Sequence, residues 1–409
     1  MTSLSWRAVV TAEERAYTAG IGNNLLFETR LIEVADAVLD AVASASTSSE
    51  FGVFQAGPWL SAVYGDLAPG HQAWPVAVEV RTASGELALL LPLLATHEKG
   101  LDVLRVPSIW VSDYGGPLLG PAAPANDAGA AALWRAMKSA LAGYDLIIVE
   151  NMPHSIGERP NPLALIAAAR PAEHQRNALH IEGSVEDMLR ARGKKYRKEA
   201  ERCARLLAER GMPTFKRAES EEEIAHGYAI LQEQQALRRH ATGGGYVLDQ
   251  PDYMRFYETV LRQGFANGQA HLFTLGAGAE VGACLLGVTH AGVFTLLRIA
   301  TAGGNWSRIS PGRLIVLEAM RYFLPRGVRT IDMGIGDYPF KQGFGIQPEP
   351  LATLEAPLSR KGWPRYTLRR IRAWARDHER LRALVRYMKG KVYGRAPEGR
   401  AAPHFALNG

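Results

Sequence analysis

The ten residues from Asp332 to Lys341 hold two carboxylates, two glycines, a tyrosine and a lysine. A turn needs Gly and Asp for backbone reasons alone. It does not need Asp332, Asp337, Tyr338 and Lys341 together, so the segment reads as a loop carrying chemistry. A second group lies just upstream at Arg308-Ile309-Ser310-Pro311-Gly312-Arg313. Ser310 reads as a helix N-cap and Pro311 suits the first helical turn. Gly312 lets a ligand approach the backbone, and a helix start presents unpaired N–H groups to an anion such as a pyrophosphate. Arg308 and Arg313 flank it and could hold phosphate oxygens in pairs.

These groups need elements to aim them. The pattern from Gly292 to Ala300 predicts a strand, then a loop, a helix over Pro311–Phe323 and a strand over Val328–Met333. Ligands of open sheets sit beyond the carboxyl ends of such strands. Upstream, Ser184–Arg210 reads as one long helix, followed by helices over Ser220–Arg239 and Asp252–Asn267. A hairpin follows over Gln269–Leu275 and Val281–Thr289.

The first part of the chain has the same order. Leu25–Leu31 reads as a strand and Ile32–Ala43 as a helix. Val76–Thr82 and Leu87–Thr96 alternate around Ser84-Gly85 as a hairpin. Leu101–Val106 and Ile109–Val111 read as strands, Asp127–Ala142 as a helix and Asp145–Val149 as a buried strand. The repeat is in the order of elements, and two copies of one α/β unit explain it. The expected division is 25–175, 176–360 and a basic amphipathic helix with tail over 361–409. Residues Met1–Asn24 and the last fifteen read as loose. His240 beside Gly243–Gly245 reads as a lid.

Composition narrows the classes. No apolar run reaches the roughly 18 residues of a membrane span, and the N-terminus lacks the apolar core of a secretory signal. Two cysteines, Cys203 and Cys284, cannot build a disulfide framework. They read as core residues. No Cys/His cluster has metal-ligand spacing, so no metal is expected. These features favour the cytoplasm. The net charge of +6 is concentrated: eleven Lys/Arg face three Glu over 190–217, and eleven face Asp377 and Glu379 over 365–395. Such stretches suit phosphate ligands, anionic lipid or nucleic acid.

The motifs together resemble a family. The Ser-Pro-Gly helix start, Gly327, the Asp332-x-Gly-x-Gly-Asp337 run and Lys341 resemble the CelD/BcsL branch of the GNAT acyltransferases. Phe54-Gln55 with Trp59, and Ser112-Asp113-Tyr114 with Pro117-Leu118, are similar to that branch's N-terminal signature. The basic helix Arg190–Arg205 is similar to the one between its halves. The resemblance spans about Leu25 to Trp363 and implies two tandem GNAT-like domains, related in architecture to Fem-type aminoacyl transferases. Each would be a mixed α/β sheet flanked by helices. It also implies acetyl-CoA or another acyl-CoA as co-substrate, bound at Arg308–Arg313, though that segment keeps only one Arg and one Gly of the usual pyrophosphate pattern.

A role in exopolysaccharide or cellulose biosynthesis would follow, with a small-molecule or saccharide acceptor. On this reading Asp337 is the general base or orients the acceptor, with a pKa that burial must raise. Lys341 neutralises charge or holds a donor phosphate, Tyr338 protonates the leaving group, and Asp332 is structural or catalytic. Strand N–H groups over Gly292–Ala300 serve the oxyanion. Asp113 and Tyr114 face the acceptor, and Lys194 and Arg197 contact an anionic acceptor or a tRNA. Two alternatives stay open. One is a Fem-like transferase using aminoacyl-tRNA. The other is a non-enzymatic scaffold of a membrane polysaccharide synthase, peripheral at the inner face through the helix over 365–391.

Overall fold

The computed structural model describes residues 15–21, 24–242 and 247–377 of the chain. The first half supplies strands β1 (Arg15–Ile21), β2 (Asn24–Ile32), β3 (Ala73–Thr82), β4 (Leu87–Glu98), β5 (Leu101–Arg105), β6 (Leu146–Pro153) and β7 (Ala169–His180). The second supplies β8 (Pro213–Arg217), β9 (Ala270–Ala277), β10 (Glu280–His290), β11 (Val293–Thr301), β12 (Thr330–Asp332) and β13 (Gln347–Pro357). Among the described residues these join a single mixed sheet in the order β1-β2-β3-β4-β5-β6-β13-β7-β12-β11-β10-β9-β8, with the short strand Leu118–Leu119 beside β4.

The helices are α1 (Ala35–Ser46), α2 (Gly57–Ala62), α3 (Asp127–Ala140), α4 (Val185–Ala191), α5 (Lys194–Arg210), α6 (Glu221–Thr242), α7 (Pro251–Ala266), α8 (Pro311–Phe323), α9 (Pro339–Phe344) and α10 (Trp363–Asp377). They cover both faces. One face has a large core shared by the halves, in which Val38, Trp59 and Leu90 join Leu231, Phe256 and Leu286, and a small cluster of Val103, Leu146 and Ile148 packed against Tyr366 of α10. Trp59 and Phe256 meet edge to face at 5.0 Å across the halves. The other face has two cores. Leu133 and Met137 of α3 pack on the first half, and Leu207 of α5 with Ile315 and Met320 of α8 pack on the second. Strand β4 serves a core on each face, which accounts for its nearly continuous apolar run.

Several elements differ from expectation. The long helix over Ser184–Arg210 is two helices, because Gly193 takes φ 90° and leaves the helical region. Ser184 and Asp187 form a capping box on α4. Ile109–Val111 is a turn rather than a strand, with Ile109 at φ 35° and Trp110 at φ 67°. Arg15–Ile21 is a strand paired to β2 rather than loose chain. Residues 1–14, the part of the expected basic helix beyond Asp377, the last fifteen residues, residues 243–245 of the expected lid and the His240 side chain lie outside the described residues. Among the described residues no helix is long and apolar enough to cross a membrane.

Candidate active site

In the second half β11 and β12 run parallel, pairing Val293 with Thr330, Phe294 with Ile331 and Thr295 with Asp332. There β12 ends, while β11 continues to Thr301. Among the described residues the edge of β11 past Thr295 therefore has no strand partner on that side. Leu297 is a bulge, since Leu286 pairs with Arg298 and Gly287 with Leu296. The result is a wedge lined by backbone groups that a ligand can engage.

The chain then passes through a 3-10 turn, Gly304–Ile309, into α8. The expected N-cap is not made. Ser310 sits at φ 52°, ψ 55°, and its side chain accepts no cap hydrogen bond. A capping side chain needs the extended conformation, which Ser310 lacks; its hydroxyl instead lies by the Cys203 thiol. The start of α8 is left without a side-chain cap. Arg308 is exposed. The Arg313 guanidinium stacks over Tyr196 at 5.3 Å, and one nitrogen lies 3.8 Å from Glu199. Arg202 pairs with the same carboxylate at 2.6 Å.

The corresponding wedge of the first half is filled by its own chain. Strands β5 and β6 are parallel from Val103–Leu146 to Arg105–Ile148. The loop after β5 then returns, and the Gly115 N–H donates to the Glu150 carbonyl at 3.2 Å. A Cβ at Gly115 would meet Val106 at 2.4 Å and that carbonyl at 2.7 Å. Helix α3 is closed as well, since Asn126 Oδ1 accepts from the Gly129 N–H at 2.9 Å. The filling loop carries Asp113 and Tyr114 into the second half. Three residues of the N-terminal signature hold it there. Gln55 donates to the Tyr114 carbonyl at 3.4 Å, Trp59 Nε1 to Ser112 Oγ at 2.8 Å, and Phe54 packs on the Tyr114 ring at 5.6 Å.

At the junction, Asp332 is buried and accepts from Tyr114 Oη at 2.8 Å, Arg176 Nε at 2.7 Å and the Gly334 N–H at 2.8 Å. Asp113 Oδ2 accepts from the Ile335 N–H at 3.3 Å. Asn177 Nδ2 donates to the carbonyls of Gly334 and Gly336, both at 2.8 Å. Lys341, only 1% exposed, donates to the carbonyls of Ile335 at 2.7 Å, Gly336 at 3.2 Å and Gly334 at 3.4 Å. The loop is thus wrapped around its own ammonium group. Both glycines are required: Gly334 (φ 73°) and Gly336 (φ 91°) are left-handed, and a Cβ on Gly334 would lie 2.2 Å from Asp113 Oδ2.

Burial sets the titration here. It pushes Asp113 up to about 7, with the charge of Asp332 adding and that of Lys341 opposing. It pulls Lys341 down to about 8 against Asp113, Asp332 and Asp337. It raises Tyr114 well above the phenol range and Tyr338 to about 12.

Several assignments shift accordingly. Asp337 is exposed at the rim of the loop and accepts from Gln342 Nε2 at 3.0 Å rather than lying buried. The buried carboxylates are Asp332 and, in part, Asp113. Lys341 is held by the carbonyls of Gly334, Ile335 and Gly336. Asp113 and Tyr114 lie at the junction between the halves, against Ile335 and Asp332. Lys194 and Arg197 lie on the exposed face of α5, where Arg197 pairs with Glu201 at 3.4 Å. It is Arg192 that reaches the site loop, donating to the carbonyls of Gln342 at 3.0 Å and Gly343 at 3.3 Å. Arg176 and Asn177 were not anticipated, because β7 has no alternating apolar pattern. Cys203 and Cys284 are both buried, as expected.

Comparison with known proteins fits this geometry. Residues 194–342 match the family model described as an acetyltransferase (GNAT) domain. The sequence gives no match among curated proteins. Among solved structures, FemX is 12% identical with a TM-score of 0.54, covering 83% of this chain and 99% of that one. The C-terminal domain of a putative lysylphosphatidylglycerol synthetase from Agrobacterium fabrum is 10% identical, with a TM-score of 0.47 and coverages of 80% and 93%. A tandem GNAT protein from the clavulanic acid biosynthesis pathway is 14% identical, with a TM-score of 0.41 and coverages of 85% and 99%. At such identities the likeness to FemX is one of fold. The open wedge, the helix start beside it and the glycine loop all lie within residues 194–342, the segment that matches the acetyltransferase (GNAT) family model.

Proposed function

We propose that the chain is an acyltransferase that takes an acyl group from an acyl-CoA to an amine or hydroxyl acceptor. One observation carries this reading. Of the two parallel strand pairs, the one within the acetyltransferase segment opens beside a helix start that no side chain caps, while its counterpart is filled. Arg308, Gly312 and Arg313 would hold the donor pyrophosphate there. The donor supplies an activated thioester. The free edge of β11 around the Leu297 bulge offers N–H groups to a developing oxyanion. Asp113 ionises near neutrality and is our choice to accept the acceptor's proton. Tyr338 stays protonated at that pH and lies within 5.0 Å of Lys341, which suits it to return a proton to the leaving thiolate. Lys341 shapes the loop and balances Asp113 and Asp332. Asp337, exposed at the loop's rim, is left to orient the acceptor.

The order and spacing of the motifs support the CelD/BcsL branch, and with it a saccharide acceptor in exopolysaccharide or cell-envelope biosynthesis. Calorimetry with acetyl-CoA and longer acyl-CoAs tests the donor. Binding is expected, and Arg313→Ala should weaken it about tenfold, the loss of one charged hydrogen-bonded contact of roughly 1.4 kcal/mol. No heat with any donor would sink this reading and favour the scaffold. A second reading rests on the exposed cationic face of α5 with Lys194 and Arg197. Aminoacyl-tRNA would then be the donor, and binding should fall steeply with salt. An unchanged mobility with tRNA at low salt excludes it.

A further inference from the structure

Helix α10 is mounted with its charged side inward. Arg365 donates to the Glu98 carbonyl at 3.4 Å and pairs with the Glu98 carboxylate. Arg369 reaches Glu150 at 3.1 Å and pairs with Glu355, which is only 1% exposed. These pairs fix the rotation of the helix about its axis. The opposite side carries Trp363, Leu368, Ile371 and Trp374, which fall within about 140° of arc at 3.6 residues per turn. Their exposures are 56%, 47%, 55% and 56%. A helix folded onto its own protein normally buries this stripe. Exposed Arg360, Lys361, Arg370 and Arg372 border it. Trp110, 53% exposed, stands in the turn after β5. Six further Lys/Arg against one Glu follow between residues 378 and 395.

We infer that this face docks on an anionic lipid surface. The apolar arc would enter the headgroup region, its tryptophans would sit at the interface, and the arginine border would meet lipid phosphates. A second copy of the chain fits poorly, because a self-complementary contact through this arc would bring two arginine borders together. The inference is independent of the donor reading.

The test is sedimentation of the full chain with vesicles at physiological salt. Binding is expected to phosphatidylcholine–phosphatidylglycerol vesicles and to be much weaker to phosphatidylcholine alone. Leu368→Glu/Ile371→Glu keeps every cation and alters only exposed positions. It should lower partitioning at least tenfold while the urea unfolding midpoint stays unchanged. Three outcomes overturn the inference. The first is a wild type that stays in the supernatant, and the second is a variant that binds as well as wild type, meaning that charge alone drives binding. The third is a wild-type oligomer that the variant disperses without any vesicle binding.

Discussion

Asp113 and Lys341 come from different halves and are each displaced toward neutrality by burial, Asp113 up to about 7 and Lys341 down to about 8. For Asp113 the folded value lies above the ordinary 3.8. Below about 4 the group is protonated in both folded and unfolded chains and contributes nothing to the difference. Between about 4 and 7 the unfolded chain has ionised this carboxyl while the folded protein keeps it protonated, so stability falls across that window and levels off above about 7. Asp113→Asn keeps an acceptor for the Ile335 N–H and removes the titration. The variant should therefore gain on the wild type as pH rises from about 4 to about 7, measured by urea unfolding at each pH. A difference that does not change with pH would count against the raised value. If Asp113 is the proton acceptor, the same variant loses acyl transfer while donor binding is retained.

The two helix starts next to the parallel strand pairs differ in one local feature, and that feature separates stability from binding. Asn126 caps α3 in extended geometry, whereas Ser310 enters α8 left-handed and caps nothing. Asn126→Ala should cost about 1 kcal/mol. Ser310→Ala should cost only a few tenths, because no cap bond is lost. Chemical denaturation of both variants checks the contrast. Much of this architecture can be read from residue order. The hairpin alternation from Val76 to Thr96 and the apolar spacing in Asp127–Ala140 and Pro311–Phe323 are set by cores on known faces. The loop Asp332–Lys341 stands out because its residue types exceed what a turn needs. Three features escape such reading. Strand β7 is polar along much of its length and is a strand only because β12 and β13 pair with it. Gly193 breaks a run of good helix formers, a tertiary override of propensity. Arg176 and Asn177 become site residues only once β7 lies beside the glycine loop, so no local pattern announces them.

At the scale of the molecule the halves are interleaved by their last strands. Strand β13, late in the sequence, pairs with β6 of the first half over Leu351–Pro357. Strand β7, which leads out of the first half, pairs with β12 of the second through Ala178–His180. Each half completes the sheet of the other, and β13 and β7 pair with one another between them. The shared core around Trp59 and Phe256 reinforces this on one face. Such an arrangement couples the halves, since removing β13 would open an edge on both β6 and β7. A chain ending at Ile346 should therefore lose the cooperative transition of both halves together. A chain ending at Lys361 retains the sheet and lacks only α10 and the tail, so it should unfold in one transition near the full-length midpoint. Far-UV circular dichroism and tryptophan fluorescence, followed during urea unfolding, distinguish these outcomes. Coincident curves in the longer chain, and their absence in the shorter, are expected. A first half that still unfolds cooperatively without β13 would mean that the halves are energetically separate, and that the site at their junction depends on Tyr114, Asp332 and the glycine loop alone.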